Sequence, residues 1–439
     1  MPESMADRHV IVISEDALVY EDMETLRRLP VFGSIWPQAA RVLKMRSVYP
    51  TVTYPAHTSM RTGVYPDKHG IVSNELDTLC ERSSKWTFFQ DAVKTPDIFT
   101  LAKRNGFSTA SVNWPVTGRH PDIDYLMNEY WPQTADESIQ ACFLDSGSSE
   151  DVVRRIVEPY LWLHAPRLHP ESDAYVHACA AAMIREYKPN LLMIHAGNID
   201  GYRHDSGLFS DKVTHSLHEC DLWLGWIIKA AKEAGIYDNT DFFILSDHGQ
   251  LNITRVIALN VLLARAGLIQ TDADGNIVDF TAFSKSTGMS AQIYLKHPDD
   301  SGAWRETYDA LERLCEDAAW GVSRVYTADE ARREERLAGG FSFVAETDGY
   351  TTFSNDWTGS PVRSFDTSDY RFGKATHGYQ PDKGPQPTFL AFGPHIKPGV
   401  VIEHGAIVDH APTIAKALGL EMAEVDGRAI DEIFHEIIL

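Results

Sequence analysis

His9-Val10-Ile11-Val12-Ile13-Ser14 is followed at once by Glu15 and Asp16, an apolar run that ends on two carboxylates. A short, continuous, β-branched run of this kind is the pattern of a strand buried on both faces of a parallel sheet. Asn190 to His195, Asp241 to Ser246 and Thr388 to Phe392 repeat it and are expected to be parallel strands of the same sheet. Between these runs the period becomes helical. From Asp211 to Ala234, residues Val213, Leu217, Leu224, Ile227, Ile228 and Ala231 share one stripe, and Gly235 supplies a stop. Strands alternating with such helices predict an α/β fold, doubly wound, with a mostly parallel central sheet and helices on both faces.

One region changes style. From Ala258 to Tyr370 the chain carries the hairpin-like TDADGN (Thr271 to Asn276), an alternating strand from Ser290 to Lys296, and an acidic helix around Trp304 to Asp317. The charged run from Asp329 to Arg336 reads as a solvated helix face. Residues 258–370 are therefore expected to form a smaller α+β lobe shaping substrate access, inserted into a core made of residues 1–257 and 371–439.

The 439 residues include 62 acidic and 40 basic side chains, a formal net charge of −22, with 44% hydrophobic and 23% charged residues. That composition belongs to a globular chain. Its sign opposes a nucleic-acid duplex or an anionic membrane as partner. Cys80, Cys142, Cys179, Cys220 and Cys315 are odd in number, widely spaced and without a CxxC pair. Zinc knuckles and a disulfide framework are not expected, and a reducing, cytoplasmic location is. MPESMADRH lacks the basic and apolar regions of a signal peptide. No run approaches the roughly 20 apolar residues that span a bilayer.

In open α/β sheets ligands sit outside the carboxyl ends of strands. The first strand leads to Asp16, the second to Asp200 and His204, the third to Asp247 and His248, and His377 precedes the strand at Thr388. Taken singly, an Asp after a strand is usually a helix cap or a turn residue, and Asp200 with His204 would be a surface pair at i,i+4 spacing. Taken together, these positions deliver carboxylates and imidazoles to one edge, a donor set that suits zinc, or manganese and iron with less selectivity. A nucleophile candidate lies between them. Pro55 suits the first turn of a helix that would stop at Gly63, so Thr53 is expected at or just before the N-cap. There it either caps the helix or turns its hydroxyl to a phosphate held at the helix N-terminus.

Asp16, PTVTYPAHTSMRTGVYPDKHGI (50–71), DGYRH (200–204), SDHG (246–249) and THG (376–378) occur in the order that resembles the nucleotide pyrophosphatase/phosphodiesterase branch of the alkaline phosphatase superfamily. IVSNELD (71–77), NWPVTG (113–118) and the tail FLAFGPHIKPGVVIEHGAIVDHAPTIAKALGL extend the likeness from Val10 to about Leu420. The resemblance implies an alkaline phosphatase-like fold and a two-metal hydrolase of phosphodiester or pyrophosphate-type bonds. One zinc would sit on Asp16, Thr53, Asp247 and His248, the other on Asp200, His204 and His377. Thr53 would be transiently phosphorylated. Asn74, with the backbone N–H after the nucleophile, would bind a non-bridging phosphate oxygen. The implied partner is a small phosphorylated substrate, nucleotides among them.

The chain departs from that pattern in places. Ala17 stands where the family usually has Gly, and because alanine resists positive φ the turn is expected to differ slightly. Val52 replaces the Lys of many close members, which argues against nucleotide pyrophosphatase activity in the narrow sense. No arginine near Thr53 matches the one that grips a monoester, since Arg61 is eight residues away, and this favours diesters. Trp114, Tyr202 and Tyr379 flank motif residues and are candidates for stacking a leaving group or a base. Alternatives of the same superfamily are a phosphomonoesterase or a phosphonate hydrolase resembling phosphonoacetate hydrolase. From a different class, an inactive metal-binding interaction module is the alternative.

Overall fold

Three runs that read as strands lie side by side at the centre of the sheet. The computed structural model describes residues 7–134, 136–366 and 368–435; Met1 to Ala6, part of the stretch judged to lack a signal peptide, lie outside them. The strands are β1 (His9–Glu15), β2 (Ala40–Arg46), β3 (Thr109–Val112), β4 (Tyr125–Met127), β5 (Leu191–Ala196), β6 (Thr240–Leu245), β7 (Phe389–Phe392) and β8 (Val401–Ala406). They form one eight-stranded sheet in the order β8-β2-β7-β6-β1-β5-β3-β4. β1 pairs in parallel with both β5 and β6, and β3 in parallel with β4 and β5.

β7 corrects an expectation. It runs antiparallel to both β6 and β2. A strand buried on both faces shows the same apolar run whichever way it points, so its sequence carries no direction. β2 and β8 lack such a run: Arg41, Lys44 and Arg46 interrupt one, and the other is a partly exposed edge strand.

Alternation along β1 divides the core. Ile11 and Ile13 pack into one cluster, Val10 and Val12 into another on the opposite face. The site-bearing helices are α1 (Thr53–Thr62), α2 (Glu171–Tyr187), α3 (Asn198–Ser206), α4 (Asp211–Ala234) and α5 (His410–Ala417). α2 and α4 cover the first face, α1 and α5 the second. α4 has the bounds its stripe implies. Ser210 Oγ accepts the Val213 N–H at 3.3 Å, and Gly235 ends the helix at φ 73°.

Among the described residues of 258–370, no strand joins the eight-stranded sheet. Ala282–Ser286, Ser290–Leu295, Phe343–Thr347 and Val322–Thr327 make a four-stranded antiparallel sheet of their own. The helices Ser301–Glu316 and Ala328–Glu335 occupy the two charged stretches. Phe283, Ile293, Leu311 and Phe343 belong to a separate apolar cluster. Ser290–Leu295 is buried at every position, so its alternation does not divide core from solvent. No helix among the described residues is long and apolar enough to cross a membrane.

His410 gives the second core a pH dependence. It is fully buried at the start of α5, stacks on Phe389 at 5.7 Å, and neither ring nitrogen has a hydrogen-bond partner. Burial pushes its pKa from 6.5 down to about 3. Below the unfolded-state value only the unfolded chain takes up this proton. Its contribution to stability is therefore complete above 6.5 and is lost as pH falls toward 3. His410→Phe should gain roughly 2 kcal/mol relative to the parent between about pH 8 and about pH 5, measured by urea unfolding. An equal difference at the two pH values would refute this.

Candidate active site

Register brings the acidic side chains together. Ser14 pairs with Leu245 on one side and His195 on the other, so Asp16 and Asp247 lie the same distance beyond two neighbouring strand ends. The Asp16 N–H donates to the Ala196 carbonyl at 2.9 Å. Ala17 follows at φ 60°, and its N–H donates to Asp247 Oδ1 at 3.2 Å. The turn therefore keeps a left-handed residue although it is alanine, contrary to the expected distortion. The backbone cost of roughly 1–2 kcal/mol is borne by the surrounding packing.

After β5, α3 places Asp200 and His204 one turn apart, Oδ2 and Nε2 separated by 3.0 Å. His377 follows the short strand Ala375–Thr376, which pairs with Leu251–Asn252. The next residue must be glycine. Gly378 has φ 102°, and a Cβ there would meet the Thr287 carbonyl oxygen at 1.8 Å.

Ligand atoms of Asp16, Asp247 and His248 lie within 4.8 Å of one another, and so do those of Asp200, His248 and His377. His248 is thus common to both clusters, whereas the resemblance assigned it to one. His204 reaches the second cluster through Asp200. Its Nδ1 is 2.7 Å from the Ala375 carbonyl, which can only accept, so Nδ1 carries hydrogen and Nε2 is turned toward the carboxylate. That buried Nε2 makes no hydrogen bond, nor do Asp16 Oδ1 and Asp247 Oδ2. Burial, followed by the charge of Asp200, pushes Asp16 upward; burial and the charge of Asp16 push Asp247 up to about 8. Against burial, His204, His377 and His248 hold Asp200 low. Unpartnered carboxylate and imidazole atoms that repel or desolvate one another fit divalent cations, which offset both effects.

Thr53 is the first residue of α1, two residues before Pro55, and the N-cap is Val52 with no side-chain capping bond. The helix starts slightly earlier than the position of Pro55 implied, and the Thr53 hydroxyl does not cap it. Oγ1 lies 3.3 Å from His248 Nε2. Asn74 Oδ1 accepts the Tyr54 N–H at 2.8 Å. The two donors expected on one phosphate oxygen are therefore bonded to each other, and Asn74 Nδ2 is the donor left over.

The aromatic candidates separate. Tyr202 lines the cleft of about 780 Å³ that contains Thr53, Asn74, Asp16 and Asp200. Trp114 does not: it is fully buried in the core, its ring 4.9 Å from that of His57. Tyr379 is likewise buried, against Ile253 and Met289. Direct stacking on a substrate is excluded for both in this arrangement, because a residue flanking a motif points inward as readily as outward.

Four residues not singled out from the sequence do shape the site. His195 Nε2 is 3.0 Å from Asp16 Oδ2, and its Nδ1 is 3.3 Å from the Asn113 carbonyl. His57 Nδ1–H donates to the Thr53 carbonyl at 2.9 Å while Nε2 accepts from Ser14 Oγ at 2.8 Å. Tyr370 stacks on His377 at 5.5 Å, and Trp86 stands edge-on to Tyr370 at 5.9 Å, forming an aromatic wall. His195 was within reach as the last residue of a predicted strand. Tyr370 and Trp86 carry no local signal.

Residues 10–380 match the family model for type I phosphodiesterase/nucleotide pyrophosphatase. The chain is 25% identical over 247 residues to human ectonucleotide pyrophosphatase/phosphodiesterase family member 1, covering 54% of this chain and 23% of that protein. It is 23% identical over 221 residues to venom phosphodiesterase 2 of Crotalus adamanteus, covering 48% of this chain and 23% of that one. The chain thus spans about a quarter of the length of these relatives. An inactive variant of murine ectonucleotide pyrophosphatase/phosphodiesterase 5, in complex with AMP, has the same fold at a TM-score of 0.68 and 20% identity, covering 98% of this chain and all of that one. The sheet and its flanking helices are accordingly those of an alkaline phosphatase-like α/β fold. With 10–380 matched, the chain belongs to the type I phosphodiesterase/nucleotide pyrophosphatase family.

Proposed function

We propose that this chain hydrolyses small phosphodiesters through a phosphothreonine on Thr53, at a site built for two divalent metals. The placement of Thr53 carries the reading: its hydroxyl is free of any capping duty and 3.3 Å from the imidazole common to both clusters. Asp16, Thr53, Asp247 and His248 would hold one metal, and Asp200, His204 and His377 the other. Zinc suits these donors, and manganese or iron could use them. When bound, such ions supply Lewis-acid stabilisation of the phosphoryl oxygens and lower the pKa of a coordinated hydroxyl. Thr53 Oγ1 attacks phosphorus in line, and the leaving oxygen departs on the opposite side. Asn74, held by the Tyr54 amide, presents Nδ2 to a non-bridging oxygen. His57 and the carbonyl it binds fix the first turn of α1 behind the nucleophile.

Arg61, the arginine nearest to Thr53 in the motif, is held away from the site. It is fully buried, ion-paired with Asp97, and donates to the Val116 carbonyl at 3.0 Å. It does not line the cleft, where the arginine present is Arg167. The wall of Tyr370 and Trp86 supports a substrate with a planar group, and the AMP complex of the murine neighbour supports a nucleotide. All five cysteines are free, which supports the inference of a reducing, cytoplasmic compartment.

Purification without chelator should give two transition-metal ions per chain by elemental analysis; none bound, and no activity after adding zinc or manganese, would refute the site. Thr53→Ala should abolish diester turnover with Tm and metal content retained, because Asp16, Asp247 and His248 still hold the first ion. Near-parental turnover by that variant would remove the covalent mechanism. Asn74→Ala should slow diester hydrolysis by about 10²–10³-fold, the usual loss for one donor to a developing oxyanion. An unchanged rate would restrict Asn74 to its bond with Tyr54.

A further inference from the structure

Among the described residues that line the cleft with Thr53 and Asn74, Arg167 is the one arginine. It lies in the exposed segment between the short helix Glu158–Leu163 and α2. Its backbone is left-handed, φ 57°, a conformation unfavourable for a residue with a Cβ. The guanidinium carbon stands 5.5 Å from the ring centre of Trp86 and 5.6 Å from that of Trp131, and the two indoles meet edge to face at 5.3 Å. The cation thus sits in the angle between two tryptophans, the strongest aromatic partners for it. Among the described residues, its guanidinium makes no hydrogen bond and no ion pair. The indoles hold the charge without offering a carboxylate to its planar fork of N–H donors.

Trp86 places this charge beside the reacting groups. It bridges to Glu75, and the next residue, Thr87, donates its N–H to the Asn74 carbonyl at 2.8 Å. The Trp86 ring stands edge-on to that of Tyr54, the residue after the nucleophile, at 5.2 Å. It also meets Tyr370 at 5.9 Å, and Tyr370 stacks on His377 of the second cluster at 5.5 Å. One indole therefore separates the guanidinium from Tyr54, and the same indole forms part of the aromatic wall. Nearby charges leave Arg167 uncompensated. Lys212, which also lines the cleft, is ion-paired with Asp205, and Asp369 with Arg371 at 2.7 Å. Glu129 shares the cleft and keeps its buried Oε2 without a hydrogen-bond partner, yet no ion pair joins it to Arg167.

We propose that Arg167 sets specificity by selecting diesters whose group on the Trp86–Tyr370 wall bears a second anion, a carboxylate or a phosphate-type oxyanion. The proposal rests on the phosphodiesterase reading above. Two oxygens of such an anion match the guanidinium fork, and the indole beside the cation gives the adjoining planar group its surface. In a chain of net charge −22, whose cleft also contains Asp16, Glu129, Asp173 and Asp200, the field opposes an anionic ligand. An unneutralised arginine in that setting decides where the second charge rests. Arg167 touches the substrate away from phosphorus, so it acts on binding and not on the chemical step.

The test uses p-nitrophenyl aryl phosphates whose second ring carries a para carboxylate, a para phosphonate or a neutral para carboxamide. They share one leaving group and differ in the charge offered to Arg167. The parent, Arg167→Gln and Arg167→Lys would be assayed on all three at low and high salt, each with metal content and Tm measured. At low salt the parent is expected to favour an anionic substrate over the carboxamide by about 10-fold in kcat/KM, through KM, and high salt should shrink the preference. Which anion is favoured separates a carboxylate from a phosphate-type source. Arg167→Gln should bring the anionic substrates down to the level of the carboxamide, with Tm and metal content retained, and Arg167→Lys should restore part of the preference. Equal kcat/KM for all three in an active parent overturns the proposal and leaves the diesterase reading intact. So does a Gln variant slowed equally on all three, the result of an arginine that only balances Glu129. A folded, metal-loaded parent that hydrolyses none of them overturns both. Should Arg167→Gln fail to fold, the parent alone decides: a preference for the anion that high salt leaves unchanged overturns the proposal.

Discussion

The site depends on the parallel register of β6, β1 and β5. With Ser14 opposite both Leu245 and His195, three neighbouring strands end at one level. Asp16, Asp247 and the start of α3 must then emerge side by side. A shift of one residue would turn every side chain of β1 to the other face. Val10 and Val12 would exchange cores with Ile11 and Ile13, and Asp16 would leave the cluster. Burial on both faces therefore fixes the position of the acidic residues, although none of these four side chains lines the cleft.

Placing carboxylates together in a buried edge is unfavourable by itself. Neighbouring elements are held by compensated charges of the same kind. Arg203, inside the DGYRH motif, is buried and ion-paired with Asp22, and it donates to the Ala17 carbonyl at 3.3 Å. One side chain thus ties α3 to the turn after β1, which fixes Asp200 relative to Asp16. Arg61 does the same for α1 through Asp97, which also bonds His120 at 3.0 Å and accepts the Thr100 N–H at 3.0 Å. The polar residues of these motifs accordingly divide. Asp16, His204, Asp247, His248 and His377 each keep a buried atom without a hydrogen-bond partner, while Arg61 and Arg203 are ion-paired and structural.

Two histidine–carboxylate pairs line the cleft, and they differ in what lies behind each imidazole. His195 faces acceptors with both nitrogens and is bound to the site by Asp16. His169 is anchored on one side only, by the carboxylate of Asp173, which is itself anchored by the Gly197 amide. The first geometry orients a carboxylate of the site; the second packs the outer edge of the ring against Gly201.

The sequence alone determined the kind of sheet, the bounds of α4, and which residue types reach the strand ends, because periodicity and caps are local properties of a chain. It also named the members of both clusters, since short motifs after strands and a recognisable order along the chain carry them. It did not determine the direction of β7, because burial on both faces erases it. Nor did it show that Ala17 would hold a left-handed turn, that Tyr54 and Asn74 would bond each other, or that Trp114 would turn into the core. Those outcomes depend on packing between segments far apart in the chain. Only the tertiary structure brought His169 against Gly201, and there a missing side chain on one helix, invisible as a signal in sequence, made room for a ring from another segment.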